Sequence, residues 1–123
     1  MNEITIIVVL LALFGIKHFI CDFVLQFSYM LAQKGTYGAQ GGLDHAYIHG
    51  IFTWFVLLPF IGSMAAFAAL FDVAAHYHID WAKQQLNKGL TPADRMFWVW
   101  FGADQGLHYL TYIAIIGWTV TIL

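Results

Sequence analysis

Histidine and aspartate side chains recur along this chain in pairs spaced four residues apart. Residues at this spacing lie on one face of an α-helix, one turn above each other, so each pair points two potential ligands in one direction. Imidazole and carboxylate groups together suit divalent transition metals. The pairs are His18/Asp22, His45/His49, His76/Asp80 and Asp104/His108. The spacing therefore predicts a metal site built from all of these side chains.

The number of candidate ligands exceeds the three or four protein ligands of a mononuclear zinc site. The surplus predicts either two ions or one ion whose remaining polar neighbours orient the histidine rings. We expect Zn, Fe or Mn, one or two ions per chain. Gln26 and Asp72 lie one turn from a pair and Gln105 lies beside one, so we expect all three to support the ligands. Lys83, three residues after Asp80, is expected to orient a substrate or take part in catalysis.

The composition around these pairs is that of a membrane protein. Of the 123 residues, 61% are hydrophobic and 10% are charged, whereas soluble domains are nearly half apolar and about a quarter charged. The net charge of −2 and the absence of a basic stripe exclude a nucleic-acid-binding protein. A chain of this length forms one domain.

Four segments are long and apolar enough to cross a hydrocarbon core about 30 Å thick. Pro59 and Gly62 are expected to form a short turn between the second and third helices. Thr91 is expected to cap the fourth helix, with Pro92 at its first position and Asp94 at its third. The sequence therefore predicts an all-α integral membrane four-helix bundle over 1–123, with helices at about 4–29, 43–58, 63–86 and 92–121.

The positive charges indicate an orientation. Lys34 lies in the first connection, and Lys88 and Arg95 lie in or beside the third, with Lys83 close by. With four spans these two connections share a side, which the positive-inside rule makes cytoplasmic. Both termini then lie on the non-cytoplasmic side, and we expect the bacterial inner membrane, whether the protein is bacterial or encoded by a phage.

All four pairs are predicted to lie at a similar depth. At about 1.5 Å per residue, they fall within a layer about 10 Å thick in the cytoplasmic half of the bilayer. Ionisable groups in hydrocarbon cost about 2.5–3.5 kcal/mol each on insertion scales, so the pairs must face the bundle interior. The hydrogen bonds of a purely structural His–Asp network would each stabilise the helix bundle by only about 0.6 kcal/mol. Metal binding is the favoured interpretation, with such a network or an ion pathway as alternatives.

The motifs that contain the pairs resemble those of the domain-of-unknown-function 3307 family of small bacterial and phage membrane proteins. The resemblance covers nearly the whole chain and implies the patterns H-x3-D-F-x-x-Q, H-x3-D-x-x-K and D-Q-x-x-H, all present here. His78 stands where that family usually has an apolar residue. The resemblance implies a fold and a polar centre but no activity. A looser similarity, in the H-x3-D helices, is to membrane-bound metal-dependent hydrolases of the YdjM type. The motifs are HFICDFVLQ (18–26), HAYIHG (45–50), HYHIDWAK (76–83) and DQGLH (104–108).

The leading functional hypothesis is a metal-dependent hydrolase that acts on a lipid or lipid-linked substrate. The metal would polarise a phosphoryl or acyl oxygen and activate water, and Asp22 or Asp104 would act as general base. No nucleophile elbow, P-loop or HExxH motif is present. A second hypothesis is conduction of a metal ion or proton, although the polar residues occupy only one layer. A third is a metal-stapled accessory subunit of a homo-oligomer or larger membrane complex.

Overall fold

The computed structural model describes all 123 residues and contains helices but no strands. A π-helical turn, Ile20–Val24, extends the first helix, and a 3₁₀ turn, Gly62–Met64, joins the third and fourth. The helices are α1 (Glu3–Phe19), α2 (Ser28–Gln33), α3 (Gln40–Ile61), α4 (Ala65–Leu86) and α5 (Arg95–Thr121).

The four long helices form a closed ring in the order α1, α3, α4, α5. Each of them contacts its two neighbours in that order, and the short α2 packs on α3. α3 and α4 approach each other closely at Gly50, where an added methyl group would overlap Val73 Cγ2 and lie 3.1 Å from the carbonyl oxygen of Ala69. This close crossing fixes how the histidines of α3 face those of α4.

The ring buries apolar side chains at one end and polar side chains at the other. The apolar end, which we call the apolar cluster, contains the α3–α4 turn. Polar and charged residues fill the interior toward α2, at the end where α4 connects to α5. The apolar cluster comprises Leu10, Phe14, Leu57, Ala65, Ala68, Tyr112, Ile115 and Ile116.

Charged residues are distributed in the opposite way from those of a soluble protein, where they are almost never fully buried. Half of the twelve Asp, Glu, Lys and Arg residues are buried. The exposed ones are Glu3, Lys88, Asp94 and Arg95, at the N-terminus and at the α4–α5 connection. Between these ends the outer surface carries large apolar side chains. Two helical segments, Glu3–Val24 and Gln40–Leu86, are long and apolar enough to cross a membrane.

The first helix ends earlier than its expected end at Tyr29. The side chain of Gln26 donates a 2.6 Å hydrogen bond to the carbonyl oxygen of Asp22. In a continued α-helix this carbonyl would instead accept from the backbone N–H of Gln26. Phe27 is extended, and α2 begins as a separate helix at Ser28. The chain therefore leaves α1 after the π-helical turn and folds back across the polar end.

Other helix ends also differ from the expected bounds. α3 begins at Gln40 and continues through Pro59 to Ile61, and the chain reverses at Gly62, whose φ of +55° favours glycine. Thr91 makes the expected bonds to Asp94, whose carboxylate accepts from the Thr91 backbone N–H at 2.7 Å. The α-helix nevertheless begins only at Arg95, because Thr91–Asp94 forms a separate turn.

Candidate metal centre

The four predicted pairs meet inside the ring of helices. Their imidazole Nε2 atoms converge on three carboxylates, one each from α4, α5 and the π-helical turn after α1. Each of the eight residues is at most 8% exposed. The residues brought together are His18, Asp22, His45, His49, His76, Asp80, Asp104 and His108.

Asp22 stands at the centre of one group of donor atoms. Its Oδ1 lies 3.1 Å from Nε2 of His45, 2.9 Å from that of His49 and 3.6 Å from that of His76. The Nε2 atoms of His45 and His76 are 3.1 Å apart, and all four donor atoms lie within 4.8 Å of one another. Zinc bonds of about 2.0–2.1 Å give a tetrahedron with edges of about 3.4 Å. These residues form the Asp22 group, and their spacing is close to that of a tetrahedral ligand set.

Asp80 organises a second set of donors. Its Oδ1 lies 3.2 Å from Nε2 of His108, and its Oδ2 lies 3.3 Å from Nε2 of His45 and 3.5 Å from that of His76. Asp104 Oδ1 lies 3.4 Å from the same His108 nitrogen, and this oxygen is buried without a hydrogen-bond partner. His76, Asp80 and His108, whose donor atoms all lie within 4.8 Å of one another, form the Asp80 group. It shares His76 with the Asp22 group and offers a further cation position, with Asp104 beside it.

His18 lies beside these two groups rather than within either. Gln105 donates from Nε2 to Asp104 Oδ2 at 3.0 Å. This bond fixes the orientation of the amide, so the atom that lies 2.9 Å from His18 Nε2 is the amide oxygen, Oε1. An amide oxygen only accepts, so His18 Nε2 carries the proton and its Nδ1 accepts from the Tyr112 hydroxyl at 2.8 Å. In this arrangement His18 orients Asp22, whose Oδ2 lies 3.1 Å from the same nitrogen.

Stacking orients the central imidazole rings. The rings of His49 and His76 lie 3.5 Å apart between centroids, and those of His76 and His108 lie 4.2 Å apart, both nearly parallel. The Nδ1 atoms of His45, His49 and His76 are buried and make no hydrogen bond. Metal-bound histidines usually donate this second N–H to a partner. Ring stacking rather than a hydrogen bond at Nδ1 orients His49 and His76 in this structure.

Lys34 enters the polar centre from the end closed by α2. Although it lies in the segment expected to connect the first two helices, it is only 7% exposed. Its Nζ donates to Gln26 Oε1 at 2.8 Å and lies 3.2 Å from Asp80 Oδ2. Gln26 thus holds a lysine near the ligands, a role that its position one turn after Asp22 did not reveal.

A buried ion pair lies one turn from the donors, toward the apolar cluster. Lys17 Nζ is 2.6 Å from Asp72 Oδ2, and both side chains are 1% exposed. Thr53 donates to the same oxygen at 2.5 Å, and Lys17 lies 3.4 Å from the Tyr112 hydroxyl. Asp72, expected to support the ligands directly, instead reaches them through Lys17, Tyr112 and His18.

Lys83 and His78 lie outside the centre. The Lys83 ammonium lies over the ring of Phe101, 5.5 Å from its centroid. No hydrogen bond or ion pair joins it to the clustered carboxylates. His78 is exposed, and its Nε2 lies 2.9 Å from the Tyr37 hydroxyl. The structure therefore gives no support to a catalytic Lys83, and His78, two residues after His76, faces away from the ligands.

Sequence reasoning missed three polar residues of this region. Thr53 continues the stripe of His45 and His49 by one turn, and Tyr112 continues that of His108 in the same way. Extension of each stripe by four residues would have found both. Lys34 carries no such signal, because its burial depends on the fold of the segment after the π-helical turn.

The charges of the centre are unbalanced without a cation. Asp22, Asp80 and Asp104 contribute three negative charges and Lys34 contributes one positive charge, since Lys17 is paired with Asp72. With neutral imidazoles two negative charges remain in a buried interior, where unpaired charge is costly. One divalent ion, or two protonated histidines, would balance them.

Comparison with known proteins gives one result. The sequence profile of the family described as "Protein of unknown function (DUF3307)" matches residues 9–123. No curated protein and no solved structure matches the chain, and the looser resemblance to YdjM-type hydrolases finds no support. Because the profile covers nearly the whole sequence, the chain belongs to the DUF3307 family.

Proposed function

We propose that this protein is an integral membrane four-helix bundle that binds one or two divalent transition-metal ions, Zn, Fe or Mn, between its helices. The observation that carries the proposal is the spacing of the Asp22 group. Three imidazole nitrogens from α3 and α4 lie 2.9–3.6 Å from Asp22 Oδ1, which comes from the π-helical turn after α1. Separations of this size fit the edges of a tetrahedral ligand set.

The membrane location is supported by the inverted surface. Exposed side chains between the two ends of the ring are largely apolar, while half of the acidic and basic residues are buried. α1, α3, α4 and α5 each have 17–27 residues, which at about 1.5 Å per residue approach or exceed the hydrocarbon thickness. Exposed Lys88 and Arg95 support an orientation in which the α4–α5 connection, and with it the polar end, lies on the cytoplasmic side.

Elemental analysis of the protein purified in detergent without chelator tests metal binding. We expect about one or two ions per chain in the wild type and at least tenfold less in His76→Ala, because His76 lies near both Asp22 and Asp80. His78→Ala is the matched control, two residues away on the same helix and outside the centre. A wild-type content below about 0.2 ions per chain would refute the proposal.

A metal-dependent hydrolase is the activity that the two donor groups support best. The Asp22 group supplies four donors, enough for a closed tetrahedral site. The Asp80 group supplies only three, which leaves a position for water or substrate, as catalytic zinc sites do. Asp22 and Asp104 are the candidate bases. Asp104 accepts from half-buried Gln105, and Asp22 and Gln105 both contact His18 Nε2, so a lipid or lipid-linked substrate would approach between α1 and α5.

Hydrolysis is tested with reporter lipids in vesicles. One reporter contains a phosphate ester and the other an acyl ester, because both reactions develop charge on an oxygen that a metal can stabilise. Turnover is expected in metal-loaded wild type and at least about 100-fold less in Asp104→Asn, since a general base contributes about 10²–10⁴-fold. Metal binding without turnover of either ester would favour the accessory-subunit hypothesis.

Ion or proton conduction is the second candidate function. The polar interior extends one turn past the ligands, through Tyr112, Lys17 and Asp72 to Thr53. Beyond Thr53 the apolar cluster fills the ring, so a single chain offers a polar path through only part of its length. Proton or metal flux into vesicles, abolished in Asp72→Asn, would favour this function over hydrolysis.

A further inference from the structure

Lys34 is a cation supplied by the chain itself within the centre. α2 and the loop after it bring this lysine across the polar end, and its backbone is held tightly against α3. A methyl group at Gly42 would lie 3.2 Å from Lys34 Cα, and one at Gly41 would lie 2.7 Å from the carbonyl oxygen of Tyr29. The glycines thus permit the close approach by which the lysine reaches inward.

The Lys34 ammonium occupies a position beside a carboxylate oxygen that a metal would use. Asp80 Oδ2 lies 3.2 Å from Lys34 Nζ and 3.3 Å and 3.5 Å from Nε2 of His45 and His76. Gln26 Oε1, itself fixed through the bond of Gln26 to the Asp22 carbonyl, accepts from the same ammonium. The lysine is therefore held against the same Asp80 oxygen that the two imidazoles approach.

The Asp22 group has no such competitor. Its carboxylate contacts four histidines and no lysine or arginine. A divalent ion there would not have to displace a fixed charge, whereas one in the Asp80 group would lie close to the Lys34 ammonium. Like charges a few ångströms apart in a poorly solvated interior repel strongly. The two metal positions should therefore differ in affinity.

We infer that Lys34 stands in for a second metal ion, so that it limits the wild-type centre to one tightly held ion in the Asp22 group. This inference rests on the proposed metal binding and names the residue that sets the number of ions. A second ion binds in the Asp80 group only when it displaces the Lys34 ammonium from Asp80. Lysine suits this role because its compact charge sits on a flexible stem that can swing away.

Zinc titration by calorimetry, on the full chain in detergent, tests the inference. Lys34→Met is expected to bind a second Zn²⁺ at least about tenfold more tightly than the wild type, because the repelling charge is gone. Lys34→Arg keeps the charge and should stay close to the wild type. Lys83→Met is the matched control, since Lys83 lies near the same end but contacts no carboxylate. Less than about a threefold gain in Lys34→Met, or an equal gain in Lys83→Met, would overturn the inference.

A measurement on the wild type alone covers the case in which Lys34→Met does not fold. An amine-acylating reagent, read out by mass spectrometry, should label Lys34 more as Zn²⁺ rises past one ion per chain, while labelling of exposed Lys88 stays constant. Unchanged or reduced labelling of Lys34 contradicts displacement. If neither wild type nor variant binds Zn²⁺, metal binding itself is refuted. If both bind a second Zn²⁺ with equal affinity, only the proposed role of Lys34 is refuted.

Discussion

The two ends of the helical ring are built from the same four helices but bury opposite kinds of side chain. At the α3–α4 turn the interior is the apolar cluster, in which Leu10, Leu57 and Ala65 are fully buried. At the α2 end the interior holds imidazoles, carboxylates and Lys34, with Nδ1 atoms that make no hydrogen bond. Side chains at the apolar end are held by dispersion contacts, whereas the polar end has a net negative charge that a bound cation could balance.

The difference assigns separate tasks to the two ends. Burying ionisable groups is costly, and interhelical polar bonds return little stability. The apolar cluster, by contrast, buries no charged side chain and can hold the helices while the polar end serves the proposed metal binding. Lys17, Asp72, Thr53 and Tyr112 form the boundary between the two. Substitutions at the two ends and at the boundary should therefore change different measured quantities.

The largest effect is expected at the boundary ion pair. Asp72→Asn leaves the Lys17 ammonium buried without its counter-charge, and the loss of one partner of a buried pair costs about 3–5 kcal/mol. The free energy of unfolding, measured by denaturant titration in micelles, should fall by that amount. The double variant Lys17→Met/Asp72→Asn should recover at least half of it, because no unpaired charge remains. No recovery would mean that Asp72 stabilises the fold mainly through Thr53.

A smaller loss of stability is expected in the apolar cluster. Leu57→Ala removes a fully buried side chain and should lower the free energy of unfolding by about 3 kcal/mol, within the range for Leu→Ala in packed cores. The number of metal ions per folded chain should stay the same, because Leu57 lies two turns from His49 on the same helix. Leu58→Ala, at an exposed neighbouring position, is the control. Loss of metal from folded Leu57→Ala would show that the two ends are not independent.

The sequence predicts the helical class and the meeting of the polar pairs because both follow from periodicity. A spacing of four residues puts His45 and His49 on one helix face whatever the rest of the chain does. The end of the first helical segment after Val24 was not predictable in this way, because it depends on the Gln26 side chain, which donates to the carbonyl oxygen of Asp22. The burial of Lys34 follows from that helix end and from the contact of α2 with α3, which no local pattern encodes.

The role of Tyr112 connects the two ends, since its ring packs in the apolar cluster and its hydroxyl lies 2.8 Å from His18 Nδ1. Tyr112→Phe keeps the ring but removes the donor that fixes the His18 imidazole beside Asp22. Partners of this kind contribute about 10–100-fold to metal affinity. We expect Zn²⁺ affinity to fall about tenfold, with a change of only about 1 kcal/mol in the free energy of unfolding. Tyr109→Phe, exposed on the same helix, should change neither quantity. Unchanged affinity in Tyr112→Phe would mean that stacking alone orients the ligands, so that the apolar end holds the helices without positioning the metal.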